Sequence, residues 1–101
     1  MSLFFDKIPQ KYVADLEKAV EILKGEGCAE IFIFGSLING SYRENSDIDI
    51  AVKGLPAGKY FKVIGRLLLE LDNPADLVDL DDKTDSFSRL LTEKGDLVRV
   101  S

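Results

Sequence analysis

A chain of 101 residues, 46% of them apolar, can bury one core and not two, so a single domain over 1–101 is expected. Its net charge of −5 and pI near 4.6 create a field that repels polyphosphate backbones, which argues against a nucleic-acid grip. One cysteine, Cys28, and no histidine exclude an internal disulfide, a histidine-based zinc site and a Ser/His/Asp triad.

From Pro9 to Lys24 the apolar residues Tyr12, Val13, Leu16, Ala19, Val20 and Leu23 recur at helical spacing, and Gly25 is a natural stop. Glu30 to Phe34 is a β-branched and aromatic run that ends in Gly35, while Asp47 to Val52 alternates with period two; both read as strands. The stretch between them, Gly35 to Ser46, is rich in Gly, Ser and Asn and suits turns. A second helix is predicted from about Ala57 to Leu71, burying Tyr60, Phe61, Ile64, Leu67, Leu68 and Leu71 and ended by Asn73 and Pro74. Asp76 to Leu80 is a third strand. Thr84 or Asp85 can cap a short third helix carrying Phe87, Leu90 and Leu91 and closed by Gly95, and Leu97 to Val100 is a last strand. Short strands interleaved with amphipathic helices predict an α/β (α+β) fold, a single mixed sheet of about four strands covered by helices. The β-β step through a turn argues against an all-parallel sheet. The apolar runs Ile31 to Phe34 and Leu67 to Leu69 fall far short of the ~20 residues of a membrane span. With no charged-then-apolar leader in view, a soluble cytoplasmic protein is expected.

Alternation places Asp47, Asp49 and Ala51 on one face of their strand and Ile48, Ile50 and Val52 on the other. Two neighbouring carboxylates repel unless a cation lies between them, and Mg²⁺, a hard ion that takes a few carboxylates plus substrate phosphates, is the natural choice. Upstream, an apolar strand runs straight into Gly35 and Ser36. Glycine lets backbone approach a phosphate closely, and a serine hydroxyl with nearby N–H groups can hold its oxygens. Arg43 and Lys53 flank the motif and could stabilise phosphate charge. Cys28 reads as a small apolar core residue, and the run Asp79, Asp81, Asp82 and Asp85 as a solvated turn or a surface for a basic partner.

The string Gly35-Ser36, ten residues, Asp47-x-Asp49, with Gly40 and Ser46 inside it, resembles the signature of the DNA polymerase β-like nucleotidyltransferases, in particular their minimal MNT-type branch. The resemblance covers most of the chain, since helices and strands arrive in the family's order. It implies that Gly35 and Ser36 hold the triphosphate and that Asp47 and Asp49 bind two Mg²⁺. It also implies a third carboxylate on the next strand. Asp76 and Asp79 both lie there, and strand parity lets only one of them face the site; Asp76 is expected, with Leu77 turned to the core and Asp79 at the strand's solvated end. Many relatives carry Arg where this chain has Asn39, a departure from the pattern.

The function so implied is transfer of a nucleoside monophosphate, AMP from ATP or its counterpart from another triphosphate, to a hydroxyl of a partner. For the minimal branch that partner is a small helical HEPN-type protein, with the transferase as antitoxin. Independently, 101 residues are expected to form a catalytic core with no separate domain to recognise an acceptor. The alternative is a catalytically weak nucleotide-binding module that regulates a partner by contact. Self-association is left open by the sequence.

Overall fold

The computed structural model describes residues 10–35, 47–82 and 97–100. The first helix, α1 (Gln10–Gly25), turns Tyr12, Leu16, Ala19, Ile22 and Leu23 inward to 3% exposure or less, because positions three and four apart share a helix face. Gly25 is still helical. The chain reverses two residues later at Gly27, φ +98, where the Cys28 N–H donates to the Leu23 carbonyl and the Gly27 N–H to the Lys24 carbonyl, each at 3.0 Å. These are the paired bonds of a Schellman C-cap, whose left-handed residue is glycine by preference. A left-handed backbone ends the helix, and the first glycine in the sequence does not adopt one.

Four strands follow, β1 (Glu30–Phe34), β2 (Ile48–Lys53), β3 (Ala75–Asp79) and β4 (Val98–Arg99). They form one sheet in the order β3-β2-β1-β4. β1 is antiparallel to β2 and to β4, whereas β2 and β3 run parallel. The parallel step needs a crossover, which α2 (Tyr60–Glu70) supplies. The mixed α+β sheet expected from the sequence is present, and the acidic strand β2 lies inside it rather than at an edge.

The core face of the sheet carries Ile31, Ile33, Ile48, Ile50 and Val52, each at most 1% exposed, packed with Leu77 beneath α1 and α2. The other face is also partly dry, since Phe34, Ala51 and Leu80 are buried there with Phe32, Val78 and Leu97 against them. α2 departs from expectation in two ways. It begins at Tyr60, after a turn in which the Lys59 N–H donates to the Pro56 carbonyl at 3.2 Å. Leu67 and Leu71 are buried as expected, but so is Val63, while Phe61 and Leu68 are left 83% and 77% exposed. The helix is apolar on two sides, so helical spacing alone did not select the inward one.

Glu26, just past α1, is 5% exposed. Its carboxylate meets Lys59 and Lys62 at 3.3 Å and Arg66 at 3.5 Å, tying α1 to α2. Burial alone would raise the Glu26 carboxyl, but hydrogen bonds from the two lysines, and their charges, outweigh it and hold the group below its ordinary value. The predicted third helix lies outside the described residues. Among those described, no helix is long and apolar enough to cross a membrane.

Candidate active site

Parallel pairing of β2 with β3 aligns Ile48 with Ala75, Asp49 with Asp76 and Ile50 with Leu77. Neighbouring strands lie ~4.8 Å apart and side chains alternate between faces, so Asp49 and Asp76 stand side by side on the face opposite the main core. Leu77, 7% exposed, points the other way. Asp79 shares the parity of Leu77; it is half-buried rather than at a solvated end, and accepts the Asp81 N–H at 2.9 Å. Asp47 has the parity of Asp49 and lies exposed just before β2.

Gly35 closes the site from the β1 side. Phe34 pairs with Asp49 across β1 and β2, and the next residue, Gly35, has φ +77. A Cβ there would collide with Oδ2 of Asp49 and stand 3.0 Å from its Cγ. Only glycine combines that backbone conformation with that clearance. The sequence motif therefore has a steric meaning: the residue after β1 is bare so that the carboxylate can lie against backbone.

A cavity of about 410 Å³ opens over this pair, walled by Phe34, Tyr60, Ile64 and Val78. A second hollow of about 580 Å³ shares Tyr60, Leu77 and Val78 with it and carries Asp79, Asp81 and Asp82. Of the residues expected to hold the triphosphate, Ser36 and Arg43 lie outside the described residues, as do Asn39, Gly40 and Ser46. Among the described residues, no group of three or more carboxylates or thiols is gathered closely enough to hold a metal. The pair Asp49–Asp76 nevertheless suits Mg²⁺ chemically, because that ion is held by one or two carboxylates and completes its shell with water and phosphate oxygens. The fit rests on hard oxygen donors in register and on the space kept beside them by Gly35.

Two side chains that sequence reasoning passed over bond to β3 and to the link before it. Tyr60, read only as core, donates its hydroxyl to the Leu77 carbonyl at 2.6 Å, next to Asp76. Asp15 is 4% exposed and accepts hydrogen bonds from Asp72 and Asn73. A signal for Asp15 existed, since an acidic residue falls within the apolar stripe of Tyr12, Leu16 and Ala19, where a charge must have partners.

Comparison with known proteins agrees with the fold. The profile of the family described as polymerase beta, nucleotidyltransferase, matches residues 17–99. No curated protein matches the chain. Among solved structures, a toxin–antitoxin assembly with AMP-PNP contains a chain similar at 27% identity and TM-score 0.66, over 82% of this chain and 69% of that one. The MntA-HepT toxin–antitoxin structure matches at 24% identity and TM-score 0.60, over 85% of this chain and 68% of that one. A Sulfolobus solfataricus protein named as a candidate nucleotidyltransferase matches at 22% identity and TM-score 0.52, over 85% and 76%. The last two likenesses speak to the fold.

Proposed function

This chain belongs to the polymerase β nucleotidyltransferase family, and from that premise we propose that it transfers a nucleoside monophosphate, AMP from ATP, to a hydroxyl on a partner protein. The observation that carries this reading is the alignment of Asp49 with Asp76 on adjacent parallel strands, beside the bare backbone of Gly35. Asp47, Asp49 and Asp76 would hold the two Mg²⁺ ions. Bound there, Mg²⁺ would neutralise the triphosphate, render the α-phosphorus more electrophilic and lower the pKa of the acceptor hydroxyl. Gly35 and Ser36 would hold phosphate oxygens through backbone N–H groups and the serine hydroxyl, with Arg43 adding positive charge. A carboxylate oxygen of Asp76 would accept the hydroxyl proton as the new oxygen–phosphorus bond forms and pyrophosphate departs in line.

ATP as substrate is supported by the similar chain solved with AMP-PNP, and a toxin as partner by that chain's being part of a toxin–antitoxin assembly. On this reading the protein is the antitoxin of a pair, acts in the cytoplasm, and modifies a small helical HEPN-type toxin. A second reading, a nucleotide-binding module that neutralises its partner by contact, draws support from the lack of a three-carboxylate group among the described residues.

One experiment separates them. The purified protein is incubated with Mg²⁺, labelled nucleoside triphosphates and the helical protein encoded beside it, and label on the partner is followed on a denaturing gel. Label from ATP that disappears in Asp49→Asn supports transfer. Neutralisation of the partner without label, equally strong in Asp49→Asn, supports the second reading and sinks the first.

A further inference from the structure

Asp15 sits midway along α1 on its buried face. Its Oδ1 accepts the Asp72 N–H at 3.0 Å, and its Oδ2 accepts the Asn73 N–H at 2.9 Å and the Asn73 side-chain amide at 2.8 Å. A buried carboxylate costs stability unless it is well satisfied, and an apolar residue at this point of the stripe would pack against the core without that cost. What Asp15 secures is the Asp72–Asn73 bend within the four-residue link from α2 into β3. Directly after that bend the Pro74 carbonyl accepts the Ile48 N–H at 2.9 Å, at the start of the β2–β3 pairing. Two residues on, Asp76 takes its place opposite Asp49.

β3 needs such a pin. It has five residues, and within the described sheet it is one of the two outer strands, paired with β2 alone and bonded besides to the Tyr60 hydroxyl through the Leu77 carbonyl. A slip of one residue would turn Asp76 into the core and bring Leu77 out beside Asp49. Burial of the Asp76 carboxylate and loss of Leu77 from the core oppose such a slip, but the apolar residues Ala75 and Leu77 on one parity and Val78 on the other distinguish the two faces only modestly.

We propose that Asp15 is a positioning residue, which fixes the start of β3 through the Asp72–Asn73 bend and thereby holds Asp76 in register with Asp49. The geometric part stands by itself; its consequence for metal binding and transfer rests on the nucleotidyltransferase reading above. Asp15 is buried against Asp72 and Asn73. It acts through Asp76.

The test uses the whole protein with Mn²⁺ as a paramagnetic probe, in the presence of a non-hydrolysable ATP analogue. Asp15→Asn keeps the shape but sets an amide against donors, and should weaken Mn²⁺ binding on the order of ten-fold, as small misplacements of reacting groups do. In an Asp76→Asn background the same change should have no further effect, since the group it positions is gone. Asn73→Ala, which removes one donor of three, should give a smaller loss in the same direction and carries the comparison should Asp15→Asn not fold. A lowered melting temperature with unchanged Mn²⁺ affinity, or a loss as large in the Asp76→Asn background, would overturn the proposal. If the wild-type protein binds no Mn²⁺, the transferase reading falls, and the register is read directly by NMR. Backbone contacts between Asp49 and Asp76, with slow exchange of the Ile48 amide, should then be lost in Asp15→Asn; their survival would refute the pin.

Discussion

At Gly35 the backbone and the acidic strand meet without any side chain between them. Gly35→Ala should therefore destabilise the protein by about 1–2 kcal/mol from the left-handed backbone alone, and by more from collision with the Asp49 carboxylate. A urea titration reads that loss as a lower midpoint, and the label-transfer assay should show activity falling with it. Asp49→Asn and Asp76→Asn should behave in the opposite manner, with transfer abolished and folding little changed, because neither side chain supports the main core and removing one of two neighbouring charges relieves repulsion. Asp79→Asn should be far milder in that assay, since Asp79 has the opposite strand parity to Asp76. Circular dichroism beside the gel assay checks all three; full transfer by Asp76→Asn with loss in Asp79→Asn would reverse the assignment of the third carboxylate.

Between elements, the junction of α1 with α2 is electrostatic at one end and apolar along the rest. Three cations converge on Glu26, and its depressed pKa makes this end of the junction sensitive to acid. A carboxyl whose folded pKa lies below its unfolded value of 4.5 stabilises the fold above that pH, and the contribution disappears as pH falls through the folded value. Glu26→Gln should accordingly lower the urea midpoint at pH 7 and lose its effect as the pH falls through the folded value below 4.5. An undiminished difference at low pH would show that packing, and not charge, is what Glu26 supplies. Cys28, beside the same junction, has its thiol pushed up by burial and by the nearby charges of Asp79 and Glu26. Alkylation by iodoacetamide at pH 8 should be slow in the folded protein and fast in urea, because thiolate is the reacting species.

For the molecule as a whole, the sheet is both the core and the support of the site. Ile50 is fully buried between Asp49 and Ala51, and Ile50→Ala should cost about 2–5 kcal/mol, a large share of the roughly 5–15 kcal/mol that holds a domain folded. Thermal denaturation should show this as a drop of many degrees. Ligands should act in the other sense. On the nucleotidyltransferase reading, Mg²⁺ and ATP added together at ~100 times their Kd should stabilise the protein by about 2.7 kcal/mol, visible as a rise in Tm that neither produces alone. No rise at millimolar concentrations with any common triphosphate would mark the site as vestigial.

Much of this architecture is encoded over short distances. The strands Glu30–Phe34 and Ile48–Lys53, the helix around Leu16 and the parity of Asp47 with Asp49 each follow from a period of two or of 3.6 residues, and both periods are local properties of the backbone. The same period of two separates Asp76 from Asp79 on β3, because an odd spacing puts two side chains on opposite faces of a strand. Tertiary structure alone decided which side of α2 faces inward, since Phe61 and Leu68 satisfy helical spacing as well as Val63 does. It also decided that Asp76 falls opposite Asp49, and that Asp15 and Glu26 take their partners from α2 and the turn after it. These pairings join residues some 27 to 58 positions apart, and each is selected by closure of the sheet and burial of its neighbours, which no local period encodes.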